Sequence, residues 1–106
     1  MSRILIVGAS HGIGQSLAEQ LLPQHACINI SRTSAGIQSP NFEEHLLDVV
    51  NDELPDLEDI GSIVYCPGTI NLKPISTLKE DLLLEDFRIN VYGAYKVIRR
   101  YQDRKS

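Results

Sequence analysis

The sequence predicts an α/β fold in which helices partly cover both faces of a parallel sheet, as the first part of a doubly wound arrangement. Short apolar runs alternate with stretches of helical periodicity, and a glycine-rich turn follows the first run directly. Right-handed crossovers between consecutive strands give the strand order 3-2-1-4. The length of 106 residues suits one domain, 1–106, with a modest core.

The first strand is predicted at Arg3–Val7, because consecutive aliphatic residues suit a strand buried on both faces. A helix is predicted from Gly12 to Leu22, where apolar residues recur at helical spacing. Pro23 ends this helix, since proline cannot continue it. The second strand is predicted at Ala26–Ser31.

The segment Thr33 to Pro40 is rich in serine, glycine and proline, so the second crossover helix is expected to be short or missing. The third strand is predicted at Phe42–Leu47 and the fourth at Gly61–Cys66. Between them, the acidic segment Asn51–Leu57 offers at most a short turn or helix.

A long helix is predicted from Lys79 to Gln102, with a break near Leu84. Apolar residues recur along one side of this helix and predict a hydrophobic stripe. The stripe consists of Phe87, Val91, Ala94, Tyr95 and Ile98.

The turn after the first strand contains three glycines, in Gly8-Ala9-Ser10-His11-Gly12-Ile13-Gly14. Gly8 permits an unusual φ, Gly12 lets a ligand approach the backbone, and Gly14 lets the helix pack against the sheet. A strand, a glycine turn and a helix N-terminus together direct N–H groups at an anion, which predicts a dinucleotide phosphate site. A turn without a ligand is the alternative. The residues expected at the cofactor are Gly8, Ser10, His11, Gly12, Ile13 and Gly14.

The spacing G-x-x-x-G-x-G resembles that of the short-chain dehydrogenase/reductase family, and three later segments resemble further landmarks of this family in the same order. Leu47-Asp48-Val49 resembles its acid and aliphatic pair at the adenine ring. Tyr65-Cys66-Pro67-Gly68 falls at its N-N-A-G turn, and Asn90 at its active-site helix asparagine. The resemblance implies a Rossmann-type sheet, cofactor contacts at Asp48, Val49 and Gly68, and hydride transfer between a nicotinamide and a carbonyl or alcohol.

The chain departs from the family pattern at three positions. Val7 stands where the family usually has threonine, so one hydrogen bond within the turn is lost. Cys66 and Pro67 replace an asparagine and an alanine, so a weaker link between neighbouring strands is expected.

The end of the second strand predicts the cofactor preference. An acid at this place favours the free 2′-hydroxyl of NAD, whereas an arginine accommodates the 2′-phosphate of NADP. The strand ends Asn29-Ile30-Ser31-Arg32, without an acid, and His11 adds a second group that could face the phosphate. NADP(H) is therefore preferred over NAD(H), the alternative being that Arg32 and His11 are ordinary solvated residues.

The family's catalytic serine and Tyr-x-x-x-Lys pair lie well downstream of the helix asparagine, and only sixteen residues follow Asn90. The resemblance therefore implies a cofactor-binding part that stops before strand five. Asn90 is then the one member of the active-site set, and the chain is expected to be inactive alone. Tyr92 and Lys96 have the catalytic spacing but follow Asn90 directly on its helix, so packing or an interface is expected of them.

Composition excludes several classes of function. A net charge of −4 argues against a nucleic-acid surface, and no segment has the apolar length of a membrane span. The histidines lack the spacing of a zinc site, so no metal is expected. Cys27 and Cys66 are expected to be reduced and structural, and no secretory signal precedes the first strand, which predicts a cytoplasmic protein.

Three functions stay open at this point. The chain is the cofactor-binding part of an oxidoreductase, a non-catalytic nucleotide-binding or interaction module, or a truncated remnant without activity. The edge of strand four and the Phe87–Ile98 helix are expected to pair with a second copy or a complementing chain, since both expose surface that usually has a partner.

Overall fold

The computed structural model describes residues 2–67 and 79–102. Four strands and one N-terminal helix come first in the chain. They are β1 (Arg3–Val7), α1 (Gly12–Leu21), β2 (Cys27–Ser31), β3 (Phe42–Leu46) and β4 (Ile60–Tyr65). The C-terminal helix consists of α2 (Glu80–Phe87), a π-helical segment (Arg88–Tyr92) and α3 (Gly93–Tyr101).

The strands form a parallel sheet with the order β3-β2-β1-β4, which confirms the predicted fold class and strand order. Each strand begins and ends within one residue of its predicted bounds. No helix forms between residues 33 and 40, as the serine, glycine and proline content predicts. In the register, Asn29 of β2 lies between Ile6 of β1 and Glu44 of β3.

The sheet is covered on both faces. On one face, Ala18 and Leu22 at α1 pack with Ile6 and Cys27 of the sheet. On the other face, Val97 and Tyr101 of α3 pack against a larger set of apolar residues. These are Leu5, Val7, Ile28, Ile30, Val49, Leu54, Leu57 and Ile60. Burial on both faces explains why β1 is almost continuously aliphatic.

The hydroxyl of Tyr101 donates to the carbonyl oxygen of Pro55 at 2.7 Å. Burial raises the pKa of Tyr101 to about 12, so this donor stays protonated. The contact fixes the irregular segment after β3 against α3.

The irregularity in the C-terminal helix lies at Arg88–Tyr92 and not near Leu84 as predicted. The N–H of Gly93 donates to the carbonyl of Arg88, five residues back, which widens the turn. Within it, the carbonyl oxygen of Ile89 accepts a hydrogen bond from the hydroxyl of Tyr65 at 2.5 Å. A Cβ at Gly93 would overlap that hydroxyl. The position of the irregularity therefore depends on a contact with β4, which helical periodicity does not reveal.

The predicted apolar stripe faces away from the sheet. Phe87, Val91, Tyr95 and Ile98 are each more than half exposed. The side of α3 that packs on the sheet consists of Gly93, Val97 and Tyr101, spaced four residues apart. Small size at Gly93 matters more for this packing than hydrophobicity, because Tyr65 fills the space beside it.

The glycine turn between β1 and α1 has the backbone that its residues predict. Gly8 has a φ of +93° and Gly12 a φ of +63°, in the region that L side chains rarely adopt. A Cβ at Gly14 would overlap the carbonyl oxygen of Gly8. The first turn of α1 therefore lies directly on the end of β1.

We expect Gly14→Ala to lower the free energy of unfolding by about 1–3 kcal/mol. The new methyl group would overlap backbone atoms of Gly8 and Ala9, which cannot move aside as a flexible side chain could. Urea denaturation measures this loss. Ser16→Ala is the control on the same helix, since Ser16 is exposed, and should change stability by less than about 0.5 kcal/mol. Equal stability of Gly14→Ala and the wild type would contradict the close contact.

Candidate functional site

A cleft of about 980 Å³ opens along the carboxyl ends of the strands. Parallel α/β sheets bind their ligands at this edge. All nine described residues that the sequence singles out for cofactor contact line this cleft. They are Gly8, Ser10, His11, Gly12, Ile13, Gly14, Arg32, Asp48 and Val49.

The two other predicted site residues are Gly68 and Asn90. Gly68 is outside the described residues. Asn90 is exposed in the π-helical segment and does not line the cleft, whereas its neighbours Arg88 and Ile89 do.

The glycine turn presents the N-terminus of α1 to the cleft. His11 precedes the helix with extended backbone, and no described side chain caps the first turn. The N–H groups and the positive end of α1 therefore suit an anion, as the sequence predicts. The N–H of Ala9 is different, because it donates to Oδ1 of Asn29 at 2.9 Å. His11 Nδ1 lies 3.0 Å from the Oγ of Ser10.

The end of β2 places Arg32 at the cleft, exposed to solvent. Ser31 precedes it, and the hydroxyl of Ser31 donates to the carbonyl of Thr33 at 2.8 Å. The charge of Arg32 also acts on Asp48, whose pKa it helps to lower. Arg32, which follows β2, and Asp48, which follows β3, thus both line the cleft, and the charge of one acts on the other.

Asp48 organises the loop that follows β3. One of its carboxylate oxygens accepts the N–H of Val50, and the other accepts the side-chain amide of Asn51, both at 2.9 Å. Its own N–H donates to the carboxylate of Asp52 at 2.7 Å. The hydrogen bond from Asn51, with smaller contributions from backbone N–H groups and Arg32, lowers the pKa of Asp48. The carboxylate is therefore charged at neutral pH and turned towards its own loop.

Lys96 of α3 holds the same loop from the other side. Its Nζ donates to the carbonyl oxygens of Val49 at 2.9 Å and Asp52 at 2.6 Å. Neither Tyr92 nor Lys96 lines the cleft. Lys96 thus contributes to packing, as the sequence analysis expects, but its partner is a loop at the cleft edge. Sequence spacing gives no signal for this role.

Sequence reasoning missed Asn29, a fully buried polar residue of β2. Its side chain contacts Ala9 of the glycine turn, Ser31, and Glu44 of β3. A signal was present, because an asparagine stands between two isoleucines in a strand predicted to be buried. Such a residue requires hydrogen-bond partners inside the fold.

The thiols of Cys27 and Cys66 are free, and Cys66 lines the cleft. Burial raises the pKa of both thiols. Among residues 2–67 and 79–102, no cluster of histidine, cysteine, aspartate and glutamate could hold a metal ion. Across the same residues, no helix has the length and apolar character of a membrane span.

No protein-family model matches this chain. Human sterol-4-alpha-carboxylate 3-dehydrogenase, decarboxylating, is 26% identical to it over 98 residues, which are 91% of this chain and 24% of the human protein. A short chain dehydrogenase family protein from Francisella tularensis superposes with a TM-score of 0.85 at 19% identity, covering 100% of this chain and 47% of that one. The resemblance to the short-chain dehydrogenase/reductase family is confirmed.

A short-chain dehydrogenase from Leptospira borgpetersenii, solved with bound NAD⁺, superposes with a TM-score of 0.77 at 20% identity. The superposition covers 93% of this chain and 44% of the Leptospira protein. This chain therefore spans less than half the length of these short-chain dehydrogenase relatives. It shares with the two solved structures a Rossmann-type fold, here with the strand order β3-β2-β1-β4.

We expect Lys96→Met to loosen the loop after β3. Methionine keeps an apolar stem but removes the donors to Val49 and Asp52, which should cost about 1–2 kcal/mol of stability. Hydrogen–deuterium exchange should show faster exchange of the backbone amides of residues 47–53. Arg99→Met is the control, because Arg99 is exposed on the same helix. Unchanged exchange in Lys96→Met would contradict the role of Lys96.

Proposed function

We propose that the chain binds a nicotinamide dinucleotide, with NADP(H) preferred over NAD(H), as the cofactor-binding part of a short-chain dehydrogenase-type oxidoreductase. The cleft carries this proposal, because the residues predicted to contact such a cofactor come from three separate parts of the sequence and line one cleft together. The glycine turn faces one part of the cleft, and Arg32 and Asp48 meet at one edge of it. The Leptospira relative, which binds NAD⁺, supports a nucleotide as the ligand.

In the proposed complex, the pyrophosphate lies at the N-terminus of α1. Gly12 leaves open space beside its backbone, since nothing lies within 4 Å of the position of a Cβ. The uncapped first turn of α1 supplies N–H donors there. The adenine lies beside Val49, at the loop that Asp48 and Lys96 hold. Gly68 and Asn90 are proposed as further contacts on the basis of the family resemblance.

The preference for NADP(H) rests on charge at the end of β2. Arg32 supplies a guanidinium that can bind a phosphate through two parallel hydrogen bonds. Asp48 follows β3 and not β2, so this acid does not stand at the place of the ribose-binding acid of NAD sites. His11 is a second group at the cleft that could face the phosphate.

The bound cofactor would supply hydride chemistry, exchanging a hydride with a carbonyl or alcohol carbon. Within the described residues, the cleft contains one tyrosine, Tyr65, and no lysine. The hydroxyl of Tyr65 donates to Ile89, and burial is the main cause of its raised pKa. A phenol of this kind is a poor proton donor or acceptor at neutral pH. We therefore propose binding without turnover by this polypeptide alone. Its free thiols fit a reducing compartment such as the cytoplasm.

We expect saturable binding of NADPH, and weaker binding of NADH, in calorimetric titrations of the purified chain. Arg32→Asp should weaken NADPH binding roughly tenfold or more, since a charge-assisted contact becomes a repulsion. NADH binding should change little. Arg99→Asp makes the same change of charge outside the cleft and should leave both affinities unchanged. Equal affinity of the wild type and Arg32→Asp for NADPH would contradict the assignment of Arg32.

A second candidate function, an interaction module, is favoured by the exposed side of the C-terminal helix. Its exposed large apolar residues are Leu84, Phe87, Val91, Tyr92, Tyr95 and Ile98. Among the described strands, β4 pairs only with β1 and so leaves one edge open. Both surfaces suit a second copy of this chain or a complementing chain.

We expect concentration-dependent association of the wild-type chain in sedimentation velocity. The double variant Val91→Lys/Tyr95→Lys should sediment as a monomer, because two charges would enter the apolar interface. Glu19→Lys, on the exposed side of α1, is the control and should associate like the wild type. A wild type that stays monomeric at every concentration would contradict self-association through this helix.

A further inference from the structure

A polar network beneath the cleft joins the glycine turn to the loop after β2. Its two central members are Asn29 of β2 and Glu44 of β3, which the register places side by side. We infer that Asn29 and Glu44 are positioning residues that fix the backbone on both sides of Arg32 and thereby set the selectivity of the cleft for a nucleotide 2′-phosphate. This inference rests on the proposed function and names what controls its specificity.

The side chain of Asn29 has hydrogen-bond partners within the fold at both its oxygen and its nitrogen. Its relative exposure is 0%. Oδ1 accepts the N–H of Ala9 at 2.9 Å. Nδ2 donates to Oγ of Ser31 at 2.8 Å and to Oε2 of Glu44 at 2.9 Å. A buried amide with both ends satisfied holds one orientation, because a flip would leave polar atoms without partners. Asn29 therefore connects the glycine turn, the end of β2 and β3.

Glu44 extends this connection to the loop after Arg32. Its Oε2 also accepts the N–H of Ala35 at 2.9 Å, and its Oε1 accepts the hydroxyl of Ser34 at 2.8 Å. The carbonyl of Ala35 is held in turn by the side-chain amide of Gln15 in α1, at 3.1 Å. Partial burial alone would raise the pKa of Glu44, but the hydrogen bonds from Ala35, Asn29 and Ser34 lower it overall. The carboxylate is thus charged, and acts as an acceptor for three donors, at neutral pH.

Arg32 lies between these two points of attachment. Before it, the hydroxyl of Ser31 accepts from Asn29 and donates to the carbonyl of Thr33. After it, Ser34 and Ala35 are bound to Glu44. The Arg32 side chain itself is exposed at the cleft. A fixed backbone means that less conformational entropy is lost when the guanidinium binds a phosphate.

A stabilising network and a selectivity-setting network have different consequences. If Glu44 only stabilised the fold, its loss would weaken the binding of all nucleotides equally. If Glu44 positions Arg32, its loss should weaken the binding of a nucleotide with a 2′-phosphate more than the binding of one without it. The pair 2′,5′-ADP and AMP tests this directly, because the two differ by the 2′-phosphate alone.

The experiment measures the dissociation constants of 2′,5′-ADP and AMP by calorimetry for the wild type, Glu44→Ala and Glu44→Gln. In Glu44→Ala, 2′,5′-ADP binding should weaken roughly tenfold and AMP binding by less than about twofold. Glu44→Gln should restore most of the selectivity, since its carbonyl can accept from Asn29 and Ala35 and its amide can donate to Ser34. Glu43→Ala is the matched control, because Glu43 contacts Arg3 and His45 and not this loop.

Ser34→Ala provides a second variant in case Glu44→Ala does not fold. Ser34 is exposed, so its replacement leaves the core intact while removing one contact with Glu44. We expect a smaller selective loss of 2′,5′-ADP binding. An unchanged ratio of the two affinities in Glu44→Ala or Ser34→Ala, with a wild type that binds, would overturn the inference and leave the proposed function standing. A folded wild type that binds neither nucleotide would overturn both.

Discussion

The contact between Gly14 and the carbonyl of Gly8 is the constraint on which the rest of the structure depends. It places the first turn of α1 directly on the end of β1, without space for any side chain between them. The helix N-terminus thereby lies at the carboxyl edge of the sheet, where the ends of β2 and β3 also lie. The cleft exists because these three ends meet, and its anion-binding character follows from the direction of α1.

Polar side chains away from the cleft hold the loops that line it. Lys96 fixes the loop after β3 through backbone carbonyls, and the buried Asn29 together with the half-buried Glu44 fixes the loop after β2. These loops have little regular structure, so their shape depends on such contacts. No helix connects β2 and β3 in this chain. Hydrogen bonds from Glu44 of β3 and Gln15 of α1 hold the connecting loop instead of helical packing.

The fold could be predicted from sequence to a large extent, because its signals are local. The aliphatic run predicts β1 and the three glycines predict the turn after it. The strand order follows from the handedness of crossovers. The cleft-facing position of Arg32 followed from the end of its strand, and that of Asp48 from the resemblance to the short-chain dehydrogenase/reductase family. The π-helical segment and the role of Lys96 could not be predicted, because each depends on a contact with a distant part of the chain, Tyr65 for one and the Val49 carbonyl for the other.

A nuclear magnetic resonance titration of the isotopically labelled chain with NADP⁺ tests the central claim most directly. Backbone resonances of Gly8, Gly12, Gly14, Arg32 and Val49 should shift together and saturate at one common concentration, because all of them line a single cleft. Shifts confined to the exposed side of the C-terminal helix, or none at all in a folded chain, would contradict a dinucleotide site at this edge of the sheet.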